Sequence, residues 1–443
     1  MQTQVEVAHD PEFQAGISTP AVEPPAHWNV ALKIAFRFVF SYFSLYCFPF
    51  PLGFLPYTDK PAEWYELGWE KVVPWVAQHW LRMAHPITTF TNGSGDTTYD
   101  YVKALCFLII ASVATIVWSM WDRKRENYAR LHHWLMLYVR LTLGVTMLSY
   151  GAAKVIKAQF PDLPLARLLQ PYGDSSPMGL LWTFMGASRP YNVFTGAVEM
   201  LGGALLFIPR FTTLGALVCI GAMGNVFILN MSYDVPVKLY SFNLLVLAIF
   251  LAAPDLRRLV DLFIFRRKVQ LAVNPPLFKR KWANRGLLGA QLLLGVYFAT
   301  TFVYGAHQSS AVYNAKSPLY GIWVVDEFSM NGQVRPVSLT DQLRWNRVIF
   351  DNAYELSVQS IDGARNRYRS RIDLKQGKIT FVKRDNPTHS ADFTFSRPQP
   401  GLLTLEGEME DQRIGVKLHR VPEPAFLLNT RGFHWINEYP YNH

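Results

Sequence analysis

The residues of this sequence that could do chemistry are polar side chains set inside long apolar runs. Tyr150 and Lys154 stand four apart, so on a helix they share one face. Glu199 lies about 12 Å inside its apolar run at 1.5 Å per residue. That is too deep for so short a side chain to reach a membrane surface. Asn225 and Asn230 occupy the next run, and Asp234, Lys238, Tyr240 and Asn243 open the one after. Ionisable groups at such positions are expensive in hydrocarbon and mark functional sites. A carboxylate and an amine can exchange protons with a ligand, so Glu199 and Lys154 are the expected catalytic pair. Tyr150, Asn225, Asn230, Asp234, Lys238, Tyr240 and Asn243 are the expected substrate-binding set, with Lys154 or Lys238 neutralising Glu199. A structural alternative stands beside this. Lysines near helix ends can extend their stems to the interface, and asparagines can join helices. Arg140 is expected as an interfacial anchor, and His132 and His133 as part of a basic loop.

The elements that must position these groups are membrane spans. Only 17% of the 443 residues are charged, against about 25% in a soluble domain. The deficit is concentrated in residues 29–305. A spanning helix takes roughly 20 mostly apolar residues. Such runs fall near 31–50, 102–121, 134–156, 191–209, 213–231, 238–254 and 286–305, giving about seven spans. Lys33 and Arg37 in the first are expected to snorkel. The loop 122–133 carries four Lys or Arg and the segment 255–285 carries nine. The positive-inside rule puts both in the cytoplasm. The N-terminus is then cytoplasmic, and the C-terminal part lies outside. On that path the polar set falls in the outer half of the membrane, where one pocket between helices would serve all of it. The aromatic outer loop 51–101 suits an interface, and 62–84 is expected as a helix lying on the surface.

The net charge of +10 follows from these basic loops and gives no reason to expect nucleic acid. Cys47, Cys106 and Cys219 are far apart and form no CxxC pair, so a disulfide framework or thiol relay is not expected. No zinc spacing, phosphate loop or catalytic triad stands out, and no metal site is expected. Residues 1–28 read as a disordered cytoplasmic tail without signal-peptide patterning. Glycines 202, 203, 215, 221 and 224 are expected to let helices pack closely.

The stretches SYGAAKVIKAQFP (149–161), EMLGGALLFIPRFTTLGAL (199–217) and YDVPVKLYSFNLLVLAIFLAAPDLRRL (233–259) resemble the DoxX-like membrane proteins. The shared features are G-x-x-K at Gly151 and Lys154, E-x-x-G-G from Glu199 to Gly203, and an apolar span ending in Pro-Asp. The match covers roughly 134–262. The resemblance implies a four-helix membrane unit. It also implies a quinone as the cofactor to consider, since some members are associated with quinone-linked sulfur oxidation or redox homeostasis. This chain departs from the short members by two earlier spans, one later span and a soluble domain.

Residues 318–443 show period-two alternation broken by turns at Asp362-Gly363, Gln376–Lys378 and Pro400-Gly401, the pattern of six to eight antiparallel strands in a barrel or sandwich. Gly321-x-Trp323 with a late Arg420 resembles a lipocalin-like barrel, in which a cation packs on the indole. Such a barrel could hold a small apolar ligand. In the tail, His434, Trp435, Glu438 and Tyr439 are expected either to reach the membrane mouth or to cap the barrel.

The expected organisation is a tail (1–28), two N-terminal helices with their aromatic loop (29–133), a DoxX-like four-helix bundle (134–262), a basic loop and last helix (263–305), and an extracytoplasmic β domain (306–443). The fold class is a membrane all-α bundle joined to an antiparallel all-β barrel or sandwich. Two functions remain open. One is a quinone-linked membrane oxidoreductase or its subunit. The other is a non-catalytic binding or assembly protein whose β domain recruits a protein partner or lipid.

Overall fold

A computed structural model describes residues 27–89, 93–269, 276–383, 390–422 and 426–442. The expected disordered tail therefore lies almost wholly outside the described residues. The chain divides into two compact units. Among the described residues, one comprises 27–89 and 98–139, and the other 93–97 and 140–442.

The first unit contains α1 (Val30–Cys47), α2 (Asp59–His79), α3 (Thr98–Trp121) and the start of α4 (Ala129–Val155). Helix α2 packs on α3 through Val73, Val76, Ala77, Val102 and Cys106. It matches the expected helix near 62–84, and Trp64, Trp75 and Trp80 remain exposed on it or at its end. Lys33 is half-buried, and its ammonium reaches the Arg125 carbonyl at 3.0 Å. Arg37 does not snorkel. It is buried, donating to the Tyr128 hydroxyl at 2.8 and 3.0 Å, to Ser119 Oγ at 2.8 Å and to the Asp122 carbonyl at 2.9 Å. These acceptors satisfy the guanidinium internally. His132 and His133 lie in the first turn of α4 and not in a loop, because that helix starts at Ala129.

The second unit continues with α5 (Leu165–Leu168), α6 (Pro177–Ala187), α7 (Arg189–Leu206), α8 (Thr212–Ser232), α9 (Lys238–Ala252), α10 (Leu256–Phe263) and α11 (Lys281–Tyr313). All seven expected runs are helical. Six helical segments among the described residues are long and apolar enough to cross a membrane: 30–47, 98–121, 129–155, 209–232, 238–263 and 281–313. The seventh run, α7, is not one of them. It has 18 residues, opens on Arg189 and carries Glu199. The β domain starts later than residue 306, because α11 runs on to Tyr313.

Nine strands follow: β1 (Lys316–Met330), β2 (Gln333–Val334), β3 (Trp345–Asn352), β4 (Glu355–Ser360), β5 (Arg365–Asp373), β6 (Lys378–Lys383), β7 (Ser390–Ser396), β8 (Leu402–Met409) and β9 (Gln412–Val421). All pairings are antiparallel. Pairing of β1 with β9 closes an eight-stranded barrel, and β2 only extends the end of β1. Closure rules out the open sandwich and removes sheet edges. Gly363, Gly377 and Gly401 have φ of +88°, +62° and +83°, so the expected turns fall where glycine tolerates the left-handed region.

The barrel interior is filled. Phe328, Trp345, Phe350, Phe381 and Phe393 are all buried there, with Phe381 and Phe393 stacked at 4.8 Å between ring centroids. Eight strands leave an interior that side chains can fill or that can hold one small ligand, and here a cluster of aromatic and aliphatic side chains occupies it. Trp323 pairs in register with Arg420 and donates its indole N–H to the Leu319 carbonyl at 2.9 Å. The Arg420 guanidinium lies over Gly321, where a Cβ would come within 2.6 Å of Nε at a φ of +141°. His434, Trp435, Glu438 and Tyr439 of the tail are exposed and form no buried cap. Trp435 and Tyr439 are 88% and 84% exposed, and Arg431 stacks on Tyr441 at 4.0 Å.

Candidate site: a cavity over a buried ion pair

Glycines set the distance between α4 and α7. A Cβ on Gly151 would come within 2.6 Å of the Gly196 carbonyl, and one on Gly196 within 2.6 Å of the Gly151 carbonyl. One turn-pair away, a Cβ on Gly203 would sit 2.8 Å from the Gly144 carbonyl. The backbones touch, as small residues allow in membrane helices. This contact drives Lys154 against Glu199. The ammonium lies 2.5 and 2.6 Å from the two carboxylate oxygens, and the residues are only 6% and 2% exposed. Lys154 also stands 5.8 Å from the centroid of the Tyr150 ring, which meets Tyr240 at 6.1 Å. An ion pair removed from water has to offset a desolvation cost of several kcal/mol per ion. Apolar residues in its place would avoid that cost.

The pair opens on a cavity of about 690 Å³. Phe160, Trp182, Phe184, Met185, Phe194 and Leu244 form much of its wall, so it is largely apolar around one charged spot. Tyr150, Lys154, Glu199, Asn225, Asn230 and Tyr240 all line it, which brings six of the expected site residues to one place. Asn230 is partly engaged, donating to Ser241 Oγ at 3.0 Å across α8 and α9.

The other three expected residues lie elsewhere. Lys238 pairs with Asp234 at 2.8 Å and approaches Asp96 at 3.7 Å, so it is not the partner of Glu199. Asp96 also accepts from the backbone N–H of Lys238 and of Leu239 at 2.8 and 2.9 Å, capping the start of α9. Asp234 is largely exposed. Asn243 donates to the Leu239 carbonyl one turn back at 2.8 Å. These residues organise the α8–α9 corner. Arg140 is not an interfacial anchor. It is buried, bonded to Gln291 Oε1 and, at 3.1 Å, to Thr212 Oγ1.

Two features were not legible in the sequence. Helix α6 supplies Leu180, Leu181, Phe184 and Met185 to the wall, although its 11 residues are too few for a span. Gln159 lines the cavity, and its buried Oε1 lacks a hydrogen-bond partner among the described residues. Gly221 also lines the cavity, and Gly221 and Gly224 meet no atom within 4 Å of a notional Cβ. They leave space where helix contact was expected. Gly202 and Gly215 do pack, against Cys219 and Leu205.

No family model matches the chain, and no solved structure matches it. Over 128 residues it is 32% identical to the uncharacterized protein YwoB of Bacillus subtilis (strain 168), an alignment covering 28% of this chain and 79% of that protein. This chain belongs to the same family as YwoB.

Proposed function

We propose that this is a multi-pass, DoxX-like membrane protein that binds a quinone, or a lipid-soluble ring of similar shape, in the bundle cavity as part of a redox reaction. The observation that carries the reading is the Lys154–Glu199 pair, buried at the edge of a large and mostly apolar space. An apolar ring and tail suit the wall, and ring oxygens suit the ammonium. Reducing a quinone to its hydroquinone consumes two electrons and two protons. Lys154 and Glu199 would pass the protons, while a second substrate or a partner protein acting as a two-electron donor would supply the electrons. Cys47, Cys106 and Cys219 are each buried and none forms a disulfide, so no thiol relay is invoked.

In this reading the basic segments 122–133 and 255–285 face the cytoplasm, and the cavity lies in the outer half of a cell membrane. The lipocalin-like barrel lies on the outside. A second reading is a non-catalytic binding or assembly protein whose barrel recruits a partner. The packed barrel interior favours it, because that domain then offers a surface and not a pocket.

The test is gentle purification of the full chain, followed by lipid mass spectrometry and absorbance. Wild-type protein is expected to carry quinone whose redox state responds to an added two-electron donor, and Glu199→Gln is expected to lose it. Quinone-free wild-type protein, or equal retention by Glu199→Gln, would sink the quinone reading. A quinone-free chain with a stoichiometric protein partner would favour the second.

A further inference from the structure

Strand β5 reads Arg-Asn-Arg-Tyr-Arg-Ser-Arg, with arginine at 365, 367, 369 and 371. A side-chain period of two sends all four out of one face of the barrel wall, spread over roughly 20 Å at about 3.3 Å per residue. Ser370, on the opposite alternation, is buried.

The short helix α5 meets one of these arginines directly. Leu165 and Ala166 of α5 pack against Ile322 and Ile349 on the outside of the barrel. The Ala166 carbonyl accepts a hydrogen bond from Arg365 Nη1. The next residue in the chain is Arg167. Its Nε donates to Thr183 Oγ1 at 2.7 Å and its Nη1 to Gln170 Oε1, while its buried Nη2 has no acceptor. Arg167, Arg365 and Arg367 are close enough to repel. Burial first, and the neighbouring guanidiniums second, disfavour the charged forms of Arg167 and Arg365.

The acids nearby do not neutralise them. Asp174 acts on Arg365 and Asp351 on Arg367, but neither comes within the 4.0 Å of an ion pair. Both Asp351 oxygens instead accept from the Ala166 backbone N–H at 3.3 Å. Arg365 meets α5 at Ala166, Arg167 follows it in the chain, and the exposed Arg367 shares the strand face of Arg365, so forked donors gather where an anion with several acceptor oxygens fits. Planar, forked donors favour phosphate.

We propose that Arg167, Arg365 and Arg367 form a binding site for a phosphate group, carried by a phospholipid headgroup or free in solution. None of the three arginines lines the bundle cavity, so the site is separate from it.

The test uses the full chain in a maltoside detergent, titrated with short-chain phosphatidic acid in one arm and inorganic phosphate in the other. Binding is read by native mass spectrometry and calorimetry. Arg365→Gln/Arg367→Gln is expected to weaken binding by at least about tenfold, the scale of one lost charge-assisted hydrogen bond. The exposed Arg367→Gln alone is expected to fold normally and to lose about threefold or more. Arg371→Gln, on the same strand face but away from α5, is expected to stay within about twofold. Binding of the lipid alone assigns the site to a headgroup, and binding in both arms assigns it to any phosphate. Absence of binding in both arms overturns the proposal. So does unchanged affinity in Arg367→Gln, or an equal loss in Arg371→Gln, which would leave only diffuse surface attraction.

Discussion

The helical bundle and the barrel treat charge in opposite ways. Between α4 and α7 the bundle buries an amine and a carboxylate and leaves a cavity of about 690 Å³ beside them. The barrel gathers aromatic rings in its central cluster, keeps its buried Arg344 and Asp351 out of that cluster, and sends the arginines of β5 outward. Each follows from the solvent the element expects. A helix surrounded by hydrocarbon gains little from burying more apolar surface, so close backbone contact at Gly151 and Gly196 and a polar pair can hold it together. A barrel in water is held by the hydrophobic effect, so its interior fills. The difference is why the proposed ligand is set in the bundle, where a cavity and a buried ion pair lie side by side.

The largest effects should come from breaking each strategy at its centre. Lys154→Met leaves the Glu199 carboxylate buried without its cation, at an expected cost of about 3–5 kcal/mol. Lys154→Met/Glu199→Leu should recover much of that stability, because an apolar pair has no desolvation cost, yet it should not restore a cavity ligand. Thermal denaturation with lipid analysis reads both quantities. A double variant that still retains the ligand would show that the charges are structural. The counterpart is Phe381→Ala, expected to cost the barrel about 3–5 kcal/mol through a cavity in its core. The bundle ligand should stay bound in that variant under native conditions. Its loss would show that the barrel helps to hold it.

Part of this contrast is legible in the sequence. Long apolar runs announce the helices, because length and composition alone decide which segments can cross a membrane. Alternation and the turn glycines announce the strands. Lys154 and Glu199 stand out because charges are costly there. Lys238 looks similar in sequence, but it pairs with Asp234 four positions back and its backbone N–H and ammonium also meet Asp96, 142 positions away before α3, a contact that no periodicity reports. Glycine is ambiguous for another reason. The same absence of a side chain lets Gly196 touch the opposite backbone and lets Gly221 open a cavity. Only the neighbouring helix distinguishes these outcomes. The α5 contact with the barrel was likewise hidden, because four residues carry no pattern of their own.

Backbone contact gives the next effect. Gly196→Val would place side-chain atoms where the Gly151 carbonyl already stands 2.6 Å from a notional Cβ. Parting α4 from α7 should cost about 1–3 kcal/mol, the usual scale of overpacking. It should also lengthen the Lys154–Glu199 contact and weaken ligand binding. Gly221→Ala meets nothing within 4 Å and should leave stability within about 0.5 kcal/mol. Reconstituted protein scored for melting temperature and ligand content tests the pair. If Gly221→Ala harmed stability as much as Gly196→Val, the distinction between contact and cavity glycines would fail.

The smallest expected effect concerns an exception on the barrel's side of the contrast. Asp351 is a carboxyl on the outer wall that α5 covers, and burial pushes its pKa up to about 6 despite the hydrogen bonds from the Ala166 and Leu165 backbone. The unfolded chain would release this proton near the ordinary value of 3.8. Between these two values the folded form holds more protons than the unfolded form. Stability therefore falls as pH rises from about 4 to about 6, and the cost persists above that. Asp351→Asn keeps an acceptor for the backbone N–H and removes the titration. It should flatten the stability profile over this interval and raise stability at pH 7 by about 1–2 kcal/mol. Denaturant melts of the full chain at pH 4, 5, 6 and 7 decide it. A variant whose profile still falls between pH 4 and 6 would show that another group carries the dependence. A variant less stable than wild type at pH 7 would show that the ionised carboxylate, held by α5, stabilises the outer wall after all.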